Sequence, residues 1–194
     1  MAVLFHIQKR KNEEPLPLYE WARLLGYSRM TMSRACQELV DAGLADKVRR
    51  GHAVMLQFES DRRQLWERAS GLMVSPVLQR IVARLLGNRP EPFMAAGLSA
   101  LSKYSEVAAD PDRVLAMTPS TFETATEKRN LARVPFPEPD TVVVEKWRYE
   151  PAILSKDGQT VDPLSLYLAL RATNDERIKT GLNELLKGIQ WQKD

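Results

Sequence analysis

The sequence predicts an α+β chain in two parts: two helices and a β-hairpin near the N-terminus, then a small mixed α/β domain. Three observations carry this. Residues 18–42 hold two apolar stripes at helical spacing, separated by Gly26-Tyr27-Ser28. Residues 44–58 hold two strand-like runs around Arg49-Arg50-Gly51-His52. Beyond Pro76, strand candidates rich in Val, Trp and Tyr alternate with helical patterns, as in mixed-layer domains. The expected boundaries are 1–74 for a first domain with a linker helix and 75–194 for a second.

Taken in order, Ala2 to Lys11 places Val3, Leu4 and Ile7 on one helical face, and Lys9-Arg10-Lys11 suits a helix C-terminus. This helix starts almost at the first residue, so the chain is expected to be the carboxyl-terminal part of a longer protein, which intact-mass analysis of the native product decides. Pro15 and Pro17 break the segment. Leu18, Trp21, Ala22 and Leu25 then recur at i, i+3, i+4 and i+7, the spacing of one buried face. Gly26 can take the left-handed conformation that ends a helix, and Ser28 can cap the next one. From Arg29 to Ala42 the second helix turns Met32, Ala35, Cys36 and Leu39 inward and Met30, Ser33, Arg34 and Gln37 outward. Leu44 to Val48 and Ala53 to Phe58 read as strands, the second with Val54, Leu56 and Phe58 inward and Ala53, Met55 and Gln57 outward.

The outward helix face carries side chains that read duplex base edges. Arginine bonds guanine bidentately and glutamine adenine, serine accepts either partner, and methionine touches the thymine methyl. Met30, Ser33, Arg34 and Gln37 are therefore the expected base readers. Arg29, Thr31, Lys47, Arg49, Arg50 and His52 are expected at phosphates, with Gly51 allowing the hairpin to reverse. Residues 18–58 resemble the winged helix-turn-helix of MarR-type bacterial transcription regulators, with Gly26-Tyr27-Ser28 in the turn and Ser33-Arg34-Ala35 in the recognition helix. That resemblance implies a double-stranded DNA partner. The competing reading is a winged domain used for protein contact, with Arg34 merely pairing to Glu38 one turn on.

Charge sharpens the argument. The net charge is +3, and residues 1–58 hold nine Lys/Arg against six Asp/Glu, so the surplus lies entirely in the N-terminal part. The single cysteine, Cys36, excludes an internal disulfide and a multi-thiolate zinc site, and reads as a buried core thiol. No apolar run reaches the ~20 residues of a membrane span, and no signal-peptide pattern opens the chain. A cytoplasmic, nucleoid-associated protein with no membrane partner is expected.

In the second part, Ser60-Asp61 caps a linker helix to about Ala69 with Leu65 and Trp66 apolar, and Gly71 to Pro76 is a loop. Arg80 to Leu86 fits a strand or a short helix equally well. Ala95 to Tyr104 reads as a helix with Leu98 and Leu101 inward, Arg113 to Met117 as a strand, and Thr118-Pro119-Ser120 as the start of a helix to Arg129. Pro135, Pro137 and Pro139 suggest a stiff extended connector, and Thr141 to Tyr149 is the best strand candidate. Gly158 marks a turn, Asp162-Pro163 an N-cap and first helical residue, and Asp175 to Trp191 a helix with Ile178, Leu182, Leu185, Leu186 and Ile189 in one stripe. That stripe reads as intrachain core first and as a dimer seam second. Gly97 to Leu101, Glu145 to Tyr149 and Val161 to Tyr167 are similar to segments of regulators allied to AbiEi-type antitoxins. The likeness implies operon autoregulation and a protein partner or effector for the second domain.

Enzyme signatures are absent. There is no phosphate loop, dinucleotide turn, nucleophile elbow or zincin helix, and His6 and His52, the only histidines, both lie before residue 58. Asp140, Glu145 and Lys146 approximate a nuclease set, but neighbouring strand residues point to opposite faces. Trp147 and Tyr149 share a face with Glu145 and suit core more than a ligand pocket. The expectation is a DNA-binding regulator, a homodimer without catalytic residues, metal or cofactor. The rival is an adaptor or antitoxin that contacts a protein through the second domain.

Overall fold

The computed structural model describes residues 1–11, 14–59, 61–86, 93–108 and 113–191, and it is an α+β structure with a three-stranded and a five-stranded sheet. Two compact units divide the chain: Met1–Met73 with the chain end from Gln190, and Val74–Ile189.

The first unit runs α1 (Ala2–Lys9), β1 (Leu16–Pro17), α2 (Leu18–Leu25), α3 (Arg29–Asp41), β2 (Ala45–Arg50), β3 (Ala53–Phe58) and α4 (Arg62–Ser70). Its sheet has the order β1-β3-β2, antiparallel throughout. Aromatic packing holds the elements together. Trp21 meets Phe5 edge-on at 5.9 Å and Phe58 at 5.5 Å, and His6 stacks on Phe58 at 4.6 Å. The buried Arg62 donates to the carbonyls of Ile7 (3.2 Å) and Arg10 (3.0 Å), so α4 supplies the donors that the end of α1 lacks. Asp61 caps α4 through the N–H groups of Arg63 and Gln64; Ser60, expected beside it, lies outside the described residues.

Several expectations shift here. α1 stops at Lys9, where Arg10 turns to extended backbone. β2 starts at Ala45 rather than Leu44 and runs on through Arg49 and Arg50, so the turn proper is Gly51-His52. Met55, expected outward, is buried like Leu56. The cause is β1, a strand too short to show in the pattern, which sets Pro17 opposite Met55 on one side while Val48 stands opposite on the other.

The second unit holds β4 (Val77–Leu85), β5 (Met94–Ala95), α5 (Gly97–Leu101), β6 (Val114–Met117), α6 (Pro119–Glu127), β7 (Leu131–Arg133), β8 (Thr141–Trp147), a single 3-10 turn (Pro151–Ile153), α7 (Pro163–Leu170) and α8 (Glu176–Lys187). The sheet order is β5-β6-β8-β4-β7, with β6 and β8 parallel and the other pairs antiparallel. Both faces are covered. Ala116 and Trp147 meet α5, α7 and α8 on one side, and Val142, Val144, Leu115 and Met117 meet Phe122 and Ala125 of α6 on the other. This two-sided burial explains the unbroken Val run of β8. Leu182 and Leu185, with Ile178, Leu186 and Ile189 packed alongside, belong to the first of these cores, so the α8 stripe is intrachain packing.

The segment open between helix and strand is a strand, β4. The helix expected over residues 95–104 shrinks to α5, because Met94–Ala95 pairs with β6 and Gly97 enters the helix at φ +53° with its Cα against Val114. The strand expected through Tyr149 ends at Trp147, where the Arg148 N–H turns to the Pro76 carbonyl. The proline connector bends at Pro135–Phe136 and turns at Pro139–Asp140 instead of running straight. It has to: β7 and β8 flank β4 on opposite sides, and Arg84 of β4 grips the crossing chain through Glu138 and through Asp140 at 2.9 Å.

Within this core Glu145 is 1% exposed. Its Oε1 accepts from Arg80 Nε (3.0 Å) and Nη2 (2.9 Å), and its Oε2 from Trp147 Nε1 (3.1 Å). Tyr149 likewise spends its hydroxyl on Ser165 Oγ at 2.7 Å, so these aromatics are core and not pocket lining. A buried carboxylate that loses its cation is costly, whereas an exposed pair contributes little. Arg80→Met therefore lowers stability in urea unfolding by about 1–3 kcal/mol, and Arg84→Met by about 1 kcal/mol or less. Equal losses contradict this assignment.

Candidate nucleic-acid interface

The geometry of α2 and α3 begins with Gly26, whose φ of +66° ends α2 in the left-handed region. The Tyr27 N–H closes the turn on the Ala22 carbonyl at 2.8 Å. Ser28 Oγ then accepts the Thr31 N–H at 3.0 Å and shares a hydrogen bond with Thr31 Oγ1 at 2.9 Å. Thr31, expected at a phosphate, is thus part of the cap, though exposed.

Met32 and Cys36 of α3 are completely buried, with Ala35 and Leu39 half-buried beside them. Burial pushes the Cys36 thiol up, against a smaller downward pull from the Lys47 charge. It is a packing group, inert as a nucleophile. The opposite side of α3 is open: Met30 is 66% exposed, and Ser33, Arg34 and Gln37 are exposed too. Arg29, Ser33 and Arg34 have no side-chain hydrogen-bond or ion-pair partner among the described residues, and the Arg34–Glu38 pair of the competing reading does not form.

Strand register sorts the hairpin. Lys47 stands opposite Leu56 and Arg49 opposite Val54, on the face that carries Leu56 and Phe58 into the core. Arg50 stands opposite Ala53 and points to the other face. Gly51, at φ +59°, takes the first turn position, where hairpin turns demand positive φ, and His52 follows, exposed. Arg49, Arg50 and His52 are exposed and without partners among the described residues.

Two of the expected contact residues meet each other at the surface. Lys47 Nζ donates to Gln37 Oε1, and Gln37 Nε2 donates to Asp41 Oδ1 at 2.6 Å. Asp41 was missed by the sequence reading, although its i,i+4 spacing from Gln37 is the signal for such a bond.

Elsewhere the nuclease candidates stay apart. Asp140 pairs with Arg84, Glu145 lies on the Trp147 face, and Lys146 Nζ sits 4.3 Å from the centre of the Phe122 ring on the other. Among the described residues no group of three His, Cys, Asp or Glu side chains could hold a metal ion. Nor, among the described residues, is any helix long and apolar enough to cross a membrane. A cleft of about 480 Å³ opens beside Gly43, Asp46, Gln57 and Glu59, but Arg68 in its wall already bonds Glu59 at 2.7 Å and the Gly43 carbonyl.

Because Ser28 satisfies the first turn of α3, Ser28→Ala costs about 1 kcal/mol in denaturant unfolding and Ser28→Asp restores it. No loss with Ala would place the start of α3 under tertiary control alone. Comparison with protein-family models, with curated proteins and with solved structures finds no match for this chain.

Proposed function

We propose that this chain is a sequence-specific double-stranded DNA-binding transcription regulator, with its N-terminal unit working as a winged helix-turn-helix. The observation that carries the reading is the open side of α3, unpartnered at Arg29, Ser33 and Arg34, next to a hairpin with two free arginines. A helix of 13 residues spans about 20 Å, enough to cross a major groove. In this reading Arg34 grips guanine, Ser33 accepts or donates to a neighbouring base, and the exposed Met30 meets a thymine methyl. Arg29 stands at the turn, beside a phosphate. Arg49 and Arg50, on opposite faces of the hairpin, straddle a backbone or enter a minor groove.

The protein acts as a repressor or autoregulator in the cytoplasm. Reading a near-palindromic operator makes it a homodimer, one half-site per copy. A second reading draws on Phe136, 73% exposed between Pro135 and Pro137, which suits an adaptor or antitoxin whose second unit contacts a protein. A stoichiometric protein partner recovered from the native host, with no duplex enriched from a random pool, favours that reading.

Selection of duplexes from a random pool supplies the site for the decisive comparison. Arg34→Ala weakens that site by about 1–3 kcal/mol and relaxes preference at one base pair. Arg50→Ala weakens specific and random duplexes alike and lowers the slope of log affinity against log salt by about one. Equal loss on both kinds of DNA for both variants overturns the division into reading and phosphate contacts.

A further inference from the structure

The Lys47–Gln37–Asp41 chain of hydrogen bonds divides the labour on α3. We propose that Gln37 reads no base: it is a positioning residue that, with Lys47 and Asp41, fixes β2 against α3 and leaves base reading to Met30, Ser33 and Arg34. The inference rests on the DNA-binding reading above and narrows it.

A glutamine that recognises adenine uses both ends of its amide, the carbonyl toward the N6 amino group and the amino group toward N7. Both ends of Gln37 are engaged by the chain's own exposed side chains. Its Nε2 donates to Asp41 Oδ1 at 2.6 Å, and its Oε1 accepts from Lys47 Nζ. Chemistry allows only this orientation, because a carboxylate accepts and an ammonium group donates. Each bond has an ionised partner and is correspondingly stronger than a neutral one.

Position agrees. Met30, Ser33 and Arg34 occupy the first half of α3, whereas Gln37 lies about one turn further on, with the Asp41 carboxylate one turn beyond it. Turning the Gln37 amide toward a base breaks both bonds and leaves that carboxylate unshielded near the DNA backbone. Kept in place, Gln37 donates to the Asp41 carboxylate and carries the grip across to Lys47 in β2, ten residues on in sequence. Lys47 then spends one of its three ammonium hydrogens on Gln37, while Arg49 and Arg50 keep their whole guanidinium groups for phosphate contact by the hairpin.

The test uses the full chain as wild type, Gln37→Leu, Lys47→Met and the double variant, each melted thermally and each offered a random duplex pool. Gln37→Leu enriches the same sequence as wild type at every position, where loss of a bidentate contact would remove roughly fivefold to over a hundredfold discrimination at one base pair. Each single variant melts about 2–4 °C lower, and the double variant melts no lower than Gln37→Leu alone, because that change already removes both bonds of the brace. The inference is overturned if Gln37→Leu relaxes one base pair while Lys47→Met does not, or if the two melting shifts add. Failure of the broader reading looks different: wild-type protein then enriches no duplex at all, which overturns the confinement of base reading whatever the melting shows.

Discussion

Trp21 is the side chain on which the N-terminal unit is assembled. It is 1% exposed, with Phe5 of α1 and Phe58 of β3 edge-on to its ring and the Arg10 guanidinium 5.7 Å above it. One residue of α2 thereby ties the first helix and the hairpin into a single core. Since Met32 and Cys36 are wholly buried in the same unit, α3 has one side committed inward and the other left to solvent. Magnitudes decide what sets this pose. Burying each large apolar side chain contributes about 1.5–3 kcal/mol, whereas an exposed hydrogen-bonded pair contributes about 1 kcal/mol or less. The core orients α3, and the Gln37 brace only trims the hairpin against it.

A different constraint governs Val74–Ile189. Its sheet is covered on both faces, so polar groups on the central strand must find partners inside the protein. Glu145 meets that demand with three donors from two side chains, one on its own strand and one on the neighbour. The buried Asp162, off the sheet, caps α7 through the Ser165 N–H at 2.9 Å. Glu145 and Asp162 thus each have a structural role in this unit.

Local chemistry made much of this legible in the sequence. Gly26, Ser28, Asp61, Thr118-Pro119 and Asp162-Pro163 each end or start a helix where such residues should, because caps and left-handed turns depend on near neighbours only. What stayed hidden depends on pairing between distant segments. β1 and β7 have two and three residues, too few for any periodicity to register. β4 was ambiguous because periodicity alone does not separate a short apolar run of strand from one of helix, and a register shift between Val77 and Gln79 interrupts its alternation. The outward face of α3 was readable from its 100° period, yet the capture of Gln37 by Lys47 was not, since it depends on how β2 lies against α3.

The central claim is that the open side of α3 and the arginine-bearing hairpin meet DNA together. Backbone amide NMR during titration with a selected or pooled duplex at low salt tests it most directly. The account predicts shifts concentrated at residues 29–34 and 49–52, fading as salt is raised. Shifts confined to residues 74–189, or none at any salt concentration, would contradict it.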